Sequence, residues 1–413
     1  MTLIRLFTLL IAALILMLPV LAAAEPAGTA LTDYEPLWSL AEQYGFKLGG
    51  CFGMEHMKNQ PYLDFISMHF NSLTCCNETK AYSLLNQFMS QASPDGMPAM
   101  NFVMVDKMIA FAQEHSIRVR GHVLVWDAYM TDWFFRENYD SAKPYVDQET
   151  MRLRLASYIE QVITHFEEQF PGVIYCWDVV NEAIGDNPGE YNATDERHLR
   201  TTRGGAPNLF LEHVGEDYVE YSFLCAKNTV EKVNPEIKLF YNDYNMFMPE
   251  KRSAACVLVE SINSYDTDEN GEPRRLIDGI GMQGYLGGYG EQRGCLEDSL
   301  ITSVRESIEI YASLGLEVQI TEMAVRNYEK EKAAEHAAFY GRLFKEAFIP
   351  VNSGEEKPLT AVCIWGIADC PQLPHDNYTW KLNSPYGGLI TENYEIKTSF
   401  DTVYHTLKGD LPE

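Results

Sequence analysis

Basic residues are scarce in this chain of 413 amino acids. Its 32 lysines and arginines are outnumbered by 59 aspartates and glutamates, which gives a formal net charge of −27 at pH 7. Such an acidic surface repels the phosphate backbones of DNA and RNA, so nucleic acid is not an expected partner. A neutral polysaccharide meets no such electrostatic penalty.

Long apolar runs are also missing, except at the very start. Residues 1–24 hold one basic residue, Arg5, ahead of an apolar run that ends in three alanines. This layout is typical of a secretory signal peptide cut before Glu25, and it predicts an exported, extracellular protein. An uncleaved membrane anchor is the alternative, because the apolar run is long for a signal peptide. We expect residues 25–413 to be soluble, monomeric and free of the membrane after cleavage.

The nine cysteines form no C-x-x-C pair and no spacing typical of a zinc site. Cys176 and Cys363 lie inside apolar, strand-like runs, so we expect buried and unreactive thiols there. An odd number leaves at least one thiol unpaired within the chain, and the sequence leaves any disulfide pairing open. We therefore expect no metal and no cofactor.

Linkers, internal repeats and glycine-rich phosphate-binding motifs are absent from the sequence as well. Short β-rich runs instead alternate with amphipathic stretches such as Met151–Phe170 and Leu300–Leu314, whose apolar residues recur with the helical period. The eight predicted strands are Phe46–Met54, Asn71–Asn77, Ile117–Trp126, Val173–Asn181, Ile237–Asn242, Ile277–Gln283, Leu316–Thr321 and Leu359–Trp365. This alternation predicts an α/β fold, a closed (β/α)8 TIM barrel, over an open doubly wound sheet.

Two of the predicted strands lead directly into a glutamate. Glu182 follows Trp177–Asn181, and Glu322 follows Val318–Thr321. The carboxyl ends of barrel strands form the active-site mouth, so the two side chains are expected to face each other there. A capping or salt-bridged role is the alternative for each glutamate alone. Hydrolysis of a glycosidic bond with retention needs one carboxyl group as proton donor and another as nucleophile, roughly 5–5.5 Å apart.

The chain resembles glycoside hydrolase family 10, the endo-β-1,4-xylanases, from about Tyr34 to about Leu407. The resemblance rests on seven motifs in the family's order, one at each of seven strand ends. They are Asn77–Lys80, Gly121–Trp126, Trp177–Glu182, Asn242–Asn245, Gly279–Gln283, Ile320–Glu322 and Trp365–Gly366.

This resemblance implies one catalytic domain, residues 25–413, which cleaves internal β-1,4-xylosidic bonds of xylan or xylo-oligosaccharides with retention. It implies that Glu182 is the acid/base and Glu322 the nucleophile. Asn181 would hold the sugar 2-hydroxyl, and Tyr244 would line the leaving-group side. The residues implied to bind sugar on the glycone side are Asn77, Lys80, His122, Trp126, Gln283 and Trp365. A packing role is the alternative for each of them.

Several positions depart from the family's pattern. Cys76 replaces a glutamate, and Asp127-Ala128-Tyr129 replaces His-Ser-Gln. Tyr285 stands where the family has a histidine that supports the nucleophile, and Ala324 stands where an aspartate supports that histidine. If the histidine alone were replaced, the buried aspartate would lose its partner, which is costly. Replacing the histidine and the aspartate together avoids that cost. We expect the Tyr285 hydroxyl to donate to Glu322 and keep it ionised.

The loop after Trp365 also differs, because Leu373 stands where the family's second stacking tryptophan is expected. Trp380 is the candidate for that tryptophan, displaced by an insertion.

Three hypotheses follow from the sequence. The first is an endo-acting retaining xylanase. The second is the same fold acting on a decorated xylan or another β-glycan, which the changes at Cys76, Tyr129 and Tyr285 motivate. The third is a carbohydrate-binding protein without catalysis, motivated by the missing histidine and aspartate. Retention of both Glu182 and Glu322 favours an enzyme.

Overall fold

The computed structural model describes residues 33–288, 293–371 and 384–411, and the structural statements below concern these residues. The predicted signal peptide, residues 1–24, and Trp380 lie outside them. In the described part of the chain, no helix is long and apolar enough to cross a membrane.

The parallel strands close into a barrel. They are β1 (Lys47–Phe52), β2 (Ser72–Cys75), β3 (Arg118–Val125), β4 (Ile174–Asn181), β5 (Lys238–Tyr244), β6 (Gly279–Gln283), β7 (Glu317–Val325) and β8 (Leu359–Ile364). Each strand pairs with its neighbours in chain order, and β8 pairs in parallel with both β7 and β1. The barrel is therefore closed, which confirms the predicted (β/α)8 fold.

Two short elements add to the barrel on the side where its strands end. Tyr285–Leu286 continues the chain after β6 and pairs in parallel with Ala324–Val325 of β7. Thr202–Arg203 pairs antiparallel with Ala206–Pro207 in a two-stranded ribbon after β4. The sequence predicted neither element, because each spans only two residues and carries no periodic pattern.

Helices surround the barrel. The α-helices are Leu37–Glu42, Gln60–His69, Ala81–Leu84, Gln87–Gln91, Val103–Glu114, Gln148–Gln169, Leu209–His213, Tyr218–Val233, Pro249–Asn263, Asp298–Ser313, Ala333–Arg342, Ile349–Val351 and Thr398–Lys408, with a π-helical turn at Leu343–Phe348. Short 3-10 turns are His56–Lys58, Asp127–Tyr129, Asp132–Phe135, Glu137–Tyr139 and Lys330–Lys332.

The two helices predicted in detail are present with shifted ends. The helix predicted at Met151–Phe170 runs from Gln148 to Gln169, because the Asp147 side chain accepts a hydrogen bond from the Thr150 amide at 2.8 Å and caps an earlier start. The helix predicted at Leu300–Leu314 spans Asp298–Ser313.

The barrel interior holds a buried ion pair between the apolar layers. The Arg120 guanidinium donates to both oxygens of Asp178, at 3.1 and 2.6 Å, and to the Gln319 amide oxygen at 2.6 Å. Close backbone approach at this level requires glycine, since a Cβ at Gly121 would lie 2.3 Å from the ring of Trp177, its register partner on β4. This layer contacts His122, which lines the cavity described below, through Asp178.

The cysteines follow the prediction where one was made. Cys176 and Cys363 are fully buried, and burial raises the pKa of their thiols to about 12 and about 11. All nine cysteines lie within the described residues and are free thiols.

Candidate active site

A cavity of about 690 Å³ opens where the barrel strands end. The predicted site residues that line it are Asn77, Lys80, His122, Trp126, Glu182, Tyr244, Gln283, Tyr285, Glu322 and Trp365. Asn181 lies directly behind this lining and is 1% exposed. The fold therefore brings together every predicted site residue except Trp380, which is outside the described residues.

Glu182 is held rigidly at the end of β4. Its backbone has a left-handed φ of +56°, and its amide donates to the Asn242 carbonyl at 2.9 Å. A non-glycine residue in this region is strained, which the packing of the site must offset. The carboxylate accepts one hydrogen bond on each oxygen, from Gln283 at 3.2 Å and from Arg203 at 3.0 Å.

The environment of Glu182 favours its protonated form. The residue is only 8% exposed, and burial raises its pKa to about 7. Arg203 opposes this rise in pKa, whereas the nearby negative charges of Asp243 and Glu322 add to it. A carboxyl group that carries its proton near neutral pH is suited to general acid catalysis.

Glu322 is buried in a different setting. The sequence predicted that its strand ends at Thr321, but β7 continues to Val325, so Glu322 lies within the strand. The register against β8 shifts between Ile320 and Met323. Such an irregularity commonly redirects a side chain near an active site, and here it accompanies the glutamate at the cavity wall.

The Tyr285 hydroxyl donates a hydrogen bond to the Glu322 carboxylate, which is the contact expected from the sequence. The pairing of Tyr285 with Ala324 across two strands brings the phenol there. Ala324 is fully buried and packs with Cys51, Tyr285 and Trp365 in a small apolar cluster.

His122 is oriented by the buried ion pair below the cavity. Its Nδ1 lies 2.8 Å from Asp178. The Arg120 guanidinium and His122 hold the pKa of Asp178 below its usual range, so Asp178 is a carboxylate and Nδ1 is the donor. The tautomer is thereby fixed, and Nε2 is left for the cavity.

Lys80 and two aromatic rings form a second wall. The Lys80 ammonium donates to the Asn77 side chain at 3.1 Å and lies 4.9 Å and 4.5 Å from the ring centres of Trp126 and Tyr129. Burial lowers the pKa of Lys80, and the negative charge of Glu322 opposes this. Tyr129 also contacts Tyr82, which is 40% exposed, with 5.3 Å between ring centres. An aromatic surface thus extends from the cavity to solvent.

Asn181 belongs to a network of amide groups. Its oxygen accepts hydrogen bonds from Asn242 at 2.9 Å and from Gln283 at 3.2 Å, while Thr321 donates to Asn242 at 2.6 Å. Within the described residues, the buried Nδ2 group of Asn181 has no hydrogen-bond partner. Its N–H groups are therefore unused donors of this buried network.

Tyr244 lines the cavity at the end of β5. Its hydroxyl donates to Asp186 and accepts from Arg200 at 3.0 Å, and the Lys251 ammonium lies 3.7 Å from its ring centre. These contacts fix the ring at the cavity wall. They are compatible with the predicted place on the leaving-group side.

Sequence reasoning missed Arg203 entirely and assigned no role to Asp127. The Arg203 guanidinium donates to both oxygens of Asp127 at 2.9 Å while it also contacts Glu182. The available signal was the pair Gly204-Gly205 between short runs, which favours a tight hairpin and has positive φ at both positions. That signal predicts a turn but not which side chain the turn presents.

No cluster of three or more histidine, cysteine, aspartate or glutamate side chains suited to a metal ion is found in residues 33–288, 293–371 and 384–411. The arrangement instead offers two buried carboxyl groups with unlike surroundings, together with amide, ammonium, imidazole and aromatic groups in one cleft. This combination suits acid–base and nucleophilic chemistry on a polyhydroxylated substrate.

The chain is similar in sequence and fold to known proteins. The beta-1,4-xylanase of Dictyoglomus thermophilum is 31% identical over 379 residues, covering 88% of this chain and 89% of that protein. Exoglucanase XynX of Acetivibrio thermocellus is 30% identical over 372 residues, covering 88% of this chain but only 29% of that longer protein.

Among solved structures, the N-terminal endo-1,4-beta-D-xylanase 10B of Clostridium thermocellum, with its CBM22-1 and GH10 modules bound to xylohexaose, superimposes with a TM-score of 0.73. It is 26% identical, and the match covers 90% of this chain and 67% of that one. The family description "Glycosyl hydrolase family 10" matches residues 37–406. The match spans most of the sequence, and the chain belongs to glycosyl hydrolase family 10.

Proposed function

We propose that this protein is a retaining endo-β-1,4-xylanase that hydrolyses internal bonds of xylan. The observation that carries the proposal is the pair of buried glutamates in one cavity, one with a pKa raised to about 7 and the other hydrogen-bonded by a phenol. Family membership and the xylanases among its relatives support the choice of substrate.

In the first step the Glu322 carboxylate attacks the anomeric carbon. A bond forms between its oxygen and that carbon while the bond to the leaving oxygen breaks, and Glu182 transfers its proton to that oxygen. In the second step Glu182, now a carboxylate, takes a proton from water. The water oxygen bonds to the anomeric carbon and the ester bond to Glu322 breaks, so the configuration is retained.

The surrounding groups position the sugar for these steps. Asn181 offers unpaired N–H groups beside Glu182, and His122 offers Nε2 in a fixed tautomer. The Lys80 ammonium is a buried cation near Glu322, where it attracts sugar hydroxyl oxygens as a donor. Preorganised donors of this kind are effective because they need no rearrangement during the reaction.

The direct test is release of reducing sugar from xylan by the wild type and by Glu182→Ala and Glu322→Ala. We expect activity only in the wild type. Treatment with a 2-fluoro xylobioside should add the mass of one glycosyl group to Glu322, which mass spectrometry of peptides detects. Inactivity of the wild type on every β-glycan tried would refute the proposal, and a trapped Glu322 would eliminate the third hypothesis, a carbohydrate-binding protein without catalysis.

A second candidate is the same reaction on a decorated xylan or another β-glycan. It is favoured by Cys76, Tyr129 and Tyr285, which depart from the family's pattern and all line the cavity. The match to a relative named an exoglucanase points the same way. Initial rates on plain xylan, arabinoxylan, glucuronoxylan and β-1,4-glucan separate the two candidates. A clear preference for plain xylan would eliminate the second.

Export is also proposed from residues 1–24. Edman sequencing of protein recovered from the medium of an expressing bacterial host should begin at Glu25. Recovery of the full-length chain in the membrane fraction would support the anchor instead, and size-exclusion chromatography of the processed protein tests the expected monomer.

A further inference from the structure

Arg203 is the one cation that contacts the carboxyl group of Glu182 directly among the described residues. Its Nη1 donates to Glu182 Oε2 at 3.0 Å, and its Nη2 donates to the Glu182 carbonyl at 3.0 Å. One guanidinium thus contacts both the side chain and the backbone of the same glutamate. The contact was not anticipated from the sequence motifs.

Asp127 fixes this guanidinium from the other side. Nε and Nη2 of Arg203 each donate to one Asp127 oxygen at 2.9 Å, a bidentate arrangement that restricts the planar group to one orientation. The Asp127 side chain is only 8% exposed, and that of Arg203 is 27% exposed. An ion pair of this geometry is less screened than one at the surface.

The backbone places Arg203 from a ribbon above the barrel. Arg203 ends the strand Thr202–Arg203, and the turn at Gly204-Gly205, with φ of +56° and +84°, returns the chain to Ala206–Pro207. Asp127 begins the 3-10 turn directly after β3 and Trp126. Two loops from different parts of the barrel thus meet at Glu182, and the arginine joins them.

We propose that Arg203, held by Asp127, is a positioning residue that favours the carboxylate form of Glu182 and thereby assists the second step of the reaction. This rests on the proposed function, in which Glu182 must donate a proton in the first step and accept one in the second. Burial alone favours the protonated form, so the first step is served without Arg203. The second step requires Glu182 to be a carboxylate, and Arg203 favours that form.

The geometry allows both steps with the arginine in place. In the first step one Glu182 oxygen carries the proton toward the leaving oxygen, and the other can still accept from Arg203. In the second step the proton leaves water for a carboxylate oxygen, and no other bond of the residue changes. The charged or titratable groups around Glu182 are Arg203, Arg200, Asp127, Asp243, Glu322, Lys80 and Tyr129.

The sign of the effect follows from these neighbours. Arg203 lowers the pKa of Glu182 against burial, Asp243 and Glu322, so its removal raises that pKa. In Arg203→Gln the alkaline limb of kcat/KM for phenyl β-xylobioside, which reports the acid form, should move up by about one pH unit. With 2,4-dinitrophenyl β-xylobioside the second step limits kcat, so the acidic limb of kcat reports the carboxylate form of Glu182. This limb should also move to higher pH.

Three further variants separate positioning from simple loss of structure. Arg203→Lys keeps a charge and should restore part of the shift. Asp127→Asn frees the guanidinium and should shift both limbs in the same direction by a smaller amount. Arg197→Gln is the matched control, because Arg197 lies in the same loop and pairs with Asp195 and Glu220 without contacting Glu182. Any effect of this variant should be confined to the unfolding temperature, with both limbs left in place.

A titration independent of turnover completes the test. The carbon signal of the 13C-labelled Glu182 carboxyl, assigned by its loss in Glu182→Gln, should titrate at higher pH in Arg203→Gln than in the wild type. An unchanged titration and unmoved limbs would overturn the role of Arg203, even if activity falls. A wild type that hydrolyses no xyloside refutes the proposed function instead, and the titration still decides what Arg203 does to Glu182.

Discussion

Glu182 and Glu322 are the same residue type at neighbouring positions of one cavity, and their surroundings differ in almost every respect. Glu182 lies outside its strand with a left-handed backbone, between an arginine and an amide. Glu322 lies within its strand, bonded by a phenol and backed by the apolar cluster of Cys51, Ala324 and Trp365.

Under the proposed mechanism, this difference gives opposite roles to identical side chains. Burial and the negative charges of Asp243 and Glu322 raise the pKa of Glu182, whereas Arg203 lowers it, so that its proton can be lost and regained near neutral pH. Glu322 accepts a hydrogen bond from a neutral phenol, which stabilises negative charge on its carboxylate, as its proposed role of nucleophile requires. The chemistry is therefore set by neighbours that lie far apart in sequence, and the predictions below test each set of neighbours.

The largest effect is expected where the two glutamates are removed one at a time. Glu322→Ala should lose roughly four orders of magnitude or more in kcat/KM on every substrate, because no nucleophile remains. Glu182→Ala should lose a similar amount on xylan but keep kcat/KM within roughly tenfold on 2,4-dinitrophenyl β-xylobioside, whose leaving group needs no acid. Steady-state kinetics on both substrates measure this.

Azide provides the control for that pair of variants. It attacks without a general base, so it should accelerate Glu182→Ala and yield β-xylobiosyl azide, whereas any azide product of Glu322→Ala should be the α-anomer, because azide then takes the place of the missing nucleophile. Equal losses on both substrates and equal responses to azide would mean that the two glutamates do not have separate roles.

The next effect concerns the apolar side of Glu322. Ala324→Asp places a carboxylate in a fully buried position beside another carboxylate, which should lower the free energy of unfolding by roughly 3–5 kcal/mol. Urea denaturation followed by fluorescence measures the change. Ala324→Asn, similar in shape and uncharged, should cost less.

A compensating variant makes this prediction specific. In the double variant with both Tyr285→His and Ala324→Asp, the new carboxylate has an imidazole partner on the paired strand. This variant should recover part of the lost stability. An Ala324→Asp protein as stable as the wild type would show that the site tolerates an unpaired carboxylate.

A smaller effect is expected from the phenol itself. Tyr285→Phe removes one hydrogen bond to a charged group and should reduce kcat/KM on xylan roughly 10- to 100-fold with little change in KM. Tyr62→Phe is the matched control, since the Tyr62 hydroxyl in the same cavity donates to the Cys51 carbonyl at 2.6 Å and not to Glu322. Similar losses in both variants would remove the special role of Tyr285.

Much of this arrangement could be predicted because its signals are local. Apolar runs of strand length followed by polar residues placed Glu182 and Glu322 at the ends of β4 and β7. The Tyr285–Glu322 contact followed from considering two replaced positions together. The predicted end of β7, at Thr321, was wrong. The strand continues past its register shift to Val325, and nothing in the sequence pattern marks that continuation.

The Arg203–Asp127 contact could not be predicted in the same way. The two residues are 76 positions apart, and each lies in a loop whose course depends on how the barrel closes. Polar composition predicts that such segments are loops. It does not predict which of their charged side chains turn inward, because that is decided by tertiary packing.

The smallest expected effect is the pH dependence of the wild type. Glu182 must be protonated in the first step, and its pKa is raised to about 7, so the acid form is available below that pH and lost above it. We expect kcat/KM for phenyl β-xylobioside to fall about tenfold per pH unit above pH 7. The same quantity for 2,4-dinitrophenyl β-xylobioside should fall much less, because departure of dinitrophenolate needs no proton.

The comparison of the two substrates identifies which group carries the alkaline limb. Lys80 also has a lowered pKa and lies near Glu322, so its deprotonation would reduce the rate for any leaving group. If both substrates share one alkaline limb, Lys80 and not Glu182 sets it, and Lys80→Arg should move that limb upward. If only phenyl β-xylobioside shows the limb, the surroundings of Glu182 alone set the working range of the enzyme.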